Sequence, residues 1–334
     1  MNSKIIFSSQ PLLKSAIFQA SLKSIFQSVE IFQVWEKTNN YLPFFTVVES
    51  EKGEIIASLL AVIQQEQKAF VGKLSSRSII IGKPIYPEDD LLILDTLLKT
   101  YNRYVSGKVI YSQFRNLNEY SEKEKKTFNN NGFNYEPHLD IIHRLDTPII
   151  KQFEGISKER KKKIRRAERA ELEFREILNE QEFNEAFKLI ESIYSRVKLP
   201  IADKSLFFES YHQLGKKEIL KMFVAVFNEE IIGCRMVLCY GDVVYDWYAG
   251  SSDKHLDKYP NDFLPWKVME WGSQNGYKYF DFGGAGKPDK PYGVRDHKLK
   301  FGGDLVEFGR FKKVHNRLLM RVGEIGLKLY KFVK

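Results

Sequence analysis

Phe223-Val-Ala-Val-Phe227, a turn at Asn228-Glu229, then Glu230-Ile-Ile-Gly-Cys-Arg-Met-Val-Leu238 spells a β-hairpin, and the chain contains it twice. The earlier copy reads Phe44-Phe-Thr-Val-Val48, a turn over Glu49-Ser-Glu-Lys-Gly53, then Glu54-Ile-Ile-Ala-Ser-Leu-Leu-Ala-Val-Ile63. Both return strands open on Glu-Ile-Ile and a small residue. Working outward, the segments that follow match in order. Strand-like stretches cover 69–81 and 243–250, and helical periodicity covers 91–105 and 261–275. Strands are expected over 108–114 and 278–282, and a last strand pair over 135–144 and 305–312. Helical segments open each half, at 14–38 and at 180–198 with 204–214. The fold class is therefore α/β (mixed α+β), with two tandem halves, each a mixed central sheet flanked by helices. The division is expected near Ile150, giving 1–150 and 151–334.

The second copy carries the chemistry. Tyr279-Phe-Asp-Phe-Gly-Gly284 is an apolar strand that ends on a carboxylate and two glycines. His297-Lys-Leu-Lys-Phe-Gly-Gly303 sets lysines beside a second glycine pair. Glycine lets the backbone approach a ligand closely and take positive φ. An Asp and a Lys brought together by such a connection can form a reaction centre.

Composition narrows the options. The 334 residues carry a net charge of +9 and a pI near 9.2, which favours anionic partners. No run approaches the ~20 apolar residues of a membrane span. Met1 to Gln10 lacks the pattern of a secretory signal. Cys234 and Cys239 lie five apart on one strand, hence on opposite faces, where they do not bridge. A reducing cytoplasm is the expected setting. Scattered histidines and no Cys/His cluster predict no metal site.

A long hairpin, a strand, a helix, a strand and a last strand pair is the order of the GNAT (acyl-CoA N-acyltransferase-like) fold. The run Trp266-Lys-Val-Met-Glu-Trp-Gly-Ser-Gln-Asn-Gly-Tyr-Lys-Tyr-Phe-Asp-Phe-Gly-Gly284 with Lys298-Leu-Lys-Phe-Gly-Gly303 resembles the Fem family of peptidyl (aminoacyl) transferases. Arg160-Lys-Lys-Lys-Ile-Arg-Arg-Ala-Glu-Arg169 is similar to that family's Arg-x-x-Ile-Arg-Lys-Ala segment. The resemblance implies transfer of an amino acid to an amine of a peptidoglycan precursor. It implies that Lys298 stands at the reaction centre, that Tyr248 meets the nucleotide-sugar part of a precursor and that Arg196 pairs with its diphosphate. This chain departs from the family at His297, where an aromatic is usual. It also has no counterpart of the helical-hairpin arm that contacts tRNA in some members.

Acyl transfer to an amine needs a deprotonated acceptor, a stabilised oxyanion and two substrates held within reach. Asp281 suits the first task, or serves as a cap for the Gly283-Gly284 turn. Lys298 suits the second, with Lys300 as the neighbouring alternative. Gly283, Gly284, His297 and Phe301 complete the expected substrate site, with His297 either a general base or structural. Strand alternation puts Tyr245 and Trp247 on one face and Tyr248 on the other. No Gly-x-Ser-x-Gly elbow is present, so direct transfer is expected rather than a covalent intermediate. No resident cofactor is expected; the acyl donor is a co-substrate, aminoacyl-tRNA or acyl-CoA.

Two basic segments remain. Ser157 caps a helix, read as 157–175, whose Lys161, Lys162, Lys163, Arg165 and Arg166 suit a polyanion or simply a solvated connection between domains. Over 314–333, Val314, Leu318, Val322, Ile325, Leu329 and Phe332 make an apolar stripe with basic residues elsewhere. That helix either packs on the core or lies on an anionic inner membrane leaflet, which would suit a lipid-linked precursor. Two rivals stand beside the Fem-like reading. One is an acetyl-CoA-dependent N-acetyltransferase acting on a sugar or lipid amine, disfavoured because neither 82–90 nor 251–263 holds a glycine-rich pyrophosphate loop. The other is a non-catalytic RNA-binding module, which the net charge permits but no RNA-binding motif supports.

Overall fold

A computed structural model describes residues 2–13, 15, 24–65, 76–88 and 90–323. The chain forms two compact units. The first comprises Met1–Pro137, Asp203–Ser210 and Phe308–Lys334, and the second His138–Ala202 and Tyr211–Glu307.

The first unit holds β1 (Asn2–Ile6), β2 (Tyr41–Glu49), β3 (Ile55–Gln64), β4 (Arg77–Ile81), β5 (Tyr111–Arg115) and β6 (Asn134–Glu136), joined by a late strand numbered β14 (Arg310–Val314). Its sheet order is β1-β2-β3-β4-β5-β14-β6. The expected first hairpin is β2–β3, paired antiparallel from Tyr41↔Gln64 to Glu49↔Ile55. Helix Leu91–Val105 starts where Asp90 accepts the Ile93 N–H at 3.1 Å. It buries Leu94, Leu97, Leu98, Tyr101 and Val105 at helical spacing against the sheet.

The second unit holds β7 (Leu139–Arg144), β8 (Glu173–Glu176), β9 (Leu220–Phe227), β10 (Glu230–Tyr240), β11 (Val243–Ser251), β12 (Tyr279–Gly286) and β13 (Asp304–Glu307). The sheet order is β13-β7-β12-β11-β10-β9-β8. The repeat hairpin is β9–β10. Helix Pro260–Gln274 buries Phe263, Leu264, Trp266, Val268 and Met269 on the sheet, and helix Glu180–Arg196 crosses β10 and β11. At that crossing Gly250 has no room for a side chain, since an added Cβ would stand 2.5 Å from the Ile190 nitrogen.

Three sequence expectations are corrected. The division near Ile150 gives way to units that exchange strands. β7 follows the first unit in sequence yet pairs with β12 and β13, while β14 pairs with β5 and β6. Pairing partners, not chain position, decide which sheet such a short apolar strand joins. The basic helix is shorter than 157–175: it spans Lys158–Arg169, and β8 begins at Glu173. Val314 ends β14 rather than starting a helix; helix begins at 317, and 324–334 lie outside the described residues. Parts of the expected 14–38 and 69–81 segments also fall outside them. No helix among the described residues is long and apolar enough to cross a membrane.

Candidate active site

In the first unit the parallel strands β4 and β5 stay zipped, from Arg77↔Tyr111 to Ile81↔Arg115, and the Gly82 N–H extends the ladder to the Arg115 carbonyl at 2.8 Å. In the second unit the corresponding strands part. β11 and β12 pair only at Val243↔Tyr279, Val244↔Phe280 and Tyr245↔Asp281, although both run on, to Ser251 and Gly286. Asp281 and Asp246 therefore sit at the point where backbone pairing stops. Strand separation of this kind leaves peptide groups without a ladder partner, and those groups are where a ligand's amide or carbonyl can bind.

Asp281 is buried, and its Oδ1 accepts the Gly283 N–H at 2.7 Å. Gly283 holds φ +69, the left-handed region glycine favours, which turns its N–H back to the carboxylate. Burial pushes the Asp281 carboxyl up to about 6, with Asp246 adding to the rise and the Gly283 N–H and Lys298 opposing it. Lys298, in helix Gly293–Leu299, donates its ammonium to the carbonyls of Phe282, Gly283 and Gly284 at 2.5, 3.3 and 3.1 Å. All three of its protons are thus committed to the glycine turn. Burial lowers the Lys298 pKa, helped by Arg235, while Asp246, Asp140 and Asp281 hold it up.

The carboxylate with the larger pull on Lys298 is Asp246, ahead of Asp281. Alternation along β12 puts Phe280 and Phe282 on one face and Asp281 on the other. The Lys298 ammonium and the Arg235 guanidinium each stand 5.7 Å from the Phe282 ring. Asp246 pairs with Arg235, both side chains about nine-tenths buried. Arg235 Nε and Asp246 Oδ1 find no hydrogen-bond partner among the described residues. A buried charge costs several kcal/mol unless paired, so an incompletely satisfied pair close to a lysine is a candidate functional position. Sequence reasoning missed Arg235 and Asp246. Their signal was present: Arg235 is the one charged residue between Ile231 and Tyr240, and Asp246 the one between Val243 and Ser251.

The remaining expected residues divide. His297 and Phe301 join this locus, ring centroids 5.6 Å apart. Lys300 points elsewhere, to Glu159 at 2.8 Å. Tyr248 meets Tyr194 and Trp247, with centroids at 5.8 and 5.1 Å. The expected alternation there is corrected: β11 carries one extra residue at Trp247, so Tyr245 faces Leu238 and Tyr248 faces Met236. Leu238 and Met236 share a face of β10, and so therefore do Tyr245 and Tyr248. Arg196 is ion-paired with Asp253. On the basic helix, Lys161, Lys162 and Arg165 line one concave surface with Lys158 and Arg169. Lys163 turns to Glu159 at 2.8 Å and Arg166 to the Tyr259 hydroxyl at 3.0 Å. Both cysteines are free thiols in apolar surroundings, pushed up by burial to about 12.

The Asp281 shift makes a stability prediction. Its folded value of about 6 lies above the ordinary 3.8, so its contribution is present below 3.8 and is lost as the pH rises through about 6. Asp281→Asn stays neutral throughout and keeps an acceptor for Gly283. It is expected to be more stable than wild type near pH 8, by up to about 3 kcal/mol, with the gap closing below about pH 4. Urea unfolding at the two pH values checks this; a variant less stable than wild type at the higher pH contradicts it.

Residues 157–296 match the family of Acetyltransferase (GNAT) domains. No match is found among curated proteins. Among solved structures, the chain is similar to the crystal structure of FemX, at 13% identity and a TM-score of 0.72, covering 96% of this chain and 99% of that one. It is similar to a tandem GNAT protein from the clavulanic acid biosynthesis pathway, at 9% identity and a TM-score of 0.57, covering 94% and 99%. It is also similar to the C-terminal domain of an Agrobacterium fabrum protein named for a lysylphosphatidylglycerol synthetase, at 14% identity and a TM-score of 0.57, covering 89% and 90%. The chain therefore has a tandem GNAT fold, and the GNAT domain match lies over 157–296, mostly within the second unit.

Proposed function

We infer that the chain transfers an aminoacyl or related acyl group directly to an amine of a cell-wall or glycan precursor. The observation that carries this reading is the parting of β11 and β12 in the second unit alone, with Lys298, Asp246 and Arg235 at the fork. An acyl donor laid in that gap would find peptide groups for its own polar atoms and a cation beside its carbonyl. The acceptor amine attacks the carbonyl, the new C–N bond forms, and the donor's ester C–O bond breaks as its oxygen leaves with a proton. Asp246 has a buried acceptor oxygen without a hydrogen-bond partner among the described residues, which an ammonium would satisfy, and Asp281 is a carboxylate poised to take a proton near neutral pH. Inert thiols suit a path without a covalent enzyme intermediate.

An aminoacyl ester is favoured over acetyl-CoA. The start of helix Pro260–Gln274, where a CoA pyrophosphate would need free N–H groups, opens on Pro260, which has none. Behind it, the N–H groups of Asp262 and Phe263 return to the Tyr259 carbonyl at 3.0 Å each. Titration calorimetry with acetyl-CoA is expected to give a dissociation constant weaker than micromolar, that is, less than about 8 kcal/mol of binding free energy. Micromolar or tighter binding would reverse the choice of donor.

The face formed by Lys158, Lys161, Lys162, Arg165 and Arg169 is suited to a phosphate-rich substrate, such as the tRNA of the donor or a nucleotide- or lipid-linked acceptor. Replacing Lys161, Lys162 and Lys163 by alanine is expected to weaken tRNA or precursor binding and to flatten its dependence on salt. Unchanged binding at low salt would reduce the helix to a solvated connection.

A further inference from the structure

Arg160 belongs to the basic helix yet is buried, and its guanidinium is divided between two partners. Nη1 donates to Asp262, and Nη2 donates to Nδ1 of His297 at 2.7 Å. A guanidinium has only donors and stays charged at any relevant pH. Nδ1 must therefore be bare, and the neutral ring so held carries its single proton on Nε2. The Phe301 ring braces the arrangement, 5.6 Å from the imidazole and 5.5 Å from the guanidinium carbon. Among the described residues Nε2 makes no hydrogen bond.

The groups facing this ring favour one proton and oppose a second. Arg160 and Lys163 approach from the basic helix, Arg235 from β10 and Lys298 from the next position in the same helix, while Asp262 stands behind Arg160. Burial first, then these four cations, holds the imidazole down to about 4. A general base needs a free lone pair, and His297 has none: Arg160 occupies Nδ1, and Nε2 bears the proton. What it offers is an uncharged N–H donor within the electrostatic reach of the Lys298 ammonium.

Resting on the acyl-transfer reading, we propose that His297 donates Nε2–H to the acyl carbonyl oxygen as negative charge develops there, and that Asp262 and Arg160 are positioning residues that fix its tautomer. No proton is transferred by the ring. The donor retains its hydrogen throughout, and the amine's proton departs to a carboxylate or water. Since aromatic residues usually stand at this position in the family this chain resembles, the device belongs to this chain.

The test has two arms on the full-length protein. The first is nitrogen-15 NMR of histidine-labelled protein, with the His297 signals identified by their loss in His297→Gln. The expected spectrum shows a bare Nδ1 and a protonated Nε2, unchanged between about pH 7.5 and 5.5, the range in which an ordinary histidine titrates. A proton on Nδ1, or titration near the ordinary value, overturns the proposal without touching the acyl-transfer reading. The second arm measures aminoacyl transfer from charged tRNA to a nucleotide-linked muropeptide. His297→Phe is expected to lower kcat ~100-fold at every pH with KM little changed, and His297→Gln, which keeps an N–H donor, to recover to within about 10-fold of wild type. Full activity in His297→Phe, or a loss confined to one limb of the pH profile, overturns the donor role. Absence of transfer by the wild type overturns the acyl-transfer reading and the donor role together, while the NMR arm still decides the tautomer.

Discussion

Lys298→Ala is expected to lower acyl transfer by at least ~100-fold, the scale of losing one stabiliser of developing charge. It is also expected to loosen the second unit. From sequence alone a lysine in a site is not a determinant of folding, and no loss of stability would be expected. The structure changes that expectation, because the ammonium satisfies three carbonyls at Phe282, Gly283 and Gly284. Phe282 and Gly283 are buried, and leaving such acceptors unsatisfied costs about 1–3 kcal/mol. Lys298→Arg is not expected to restore the rate, since a planar fork cannot donate to three carbonyls as a compact ammonium does. Initial rates and urea unfolding on the same preparations check both effects. An alanine variant with wild-type rates would remove Lys298 from the chemistry, and one with lost rate and unaltered stability would mean that the carbonyls are readily hydrated.

Asp246→Ala is expected to have the largest effect on folding. It strands the Arg235 guanidinium, buried between β10 and the Phe282 ring, without its counter-charge. Breaking a buried pair from one side costs about 3–5 kcal/mol. Replacing both members together, Arg235→Met with Asp246→Leu, is expected to recover most of that loss, because the desolvation of two charges disappears with their attraction. The double variant should fold and remain inactive. Unfolding curves for the two singles and the double form a cycle that measures the coupling. A double variant that folds and transfers at the wild-type rate would make the pair structural.

Much of the fold was written locally. The hairpins at Glu54 and Glu230 announce themselves through alternating apolar runs and sharp turns, and helix 91–105 through its spacing. The exchange of β7 and β14 was not, because a strand such as Leu139–Arg144 carries no mark of the sheet it will join. The glycine turn and Lys298 were legible as a motif. Asp246 and Arg235 stood out only as lone charges in apolar runs; their pairing was not legible, since it depends on the register between β10 and β11, which the extra residue at Trp247 shifts. His297 was visible as a residue, but its protonation is set by Arg160, 137 positions away in sequence. Contacts of that reach come from tertiary packing, to which periodicity is blind.

The central claim is that the fork between β11 and β12 performs direct transfer of an aminoacyl group to an amine. The measurement that tests it most directly is incubation of the full-length protein with radiolabelled aminoacyl-tRNA and a nucleotide-linked muropeptide, with acetyl-CoA as the rival donor and Lys298→Ala in parallel. The account predicts an amide-linked labelled product from the aminoacyl donor, at least ~100-fold slower with Lys298→Ala and not formed from acetyl-CoA. No labelled product, or equal rates in wild type and Lys298→Ala, would contradict it.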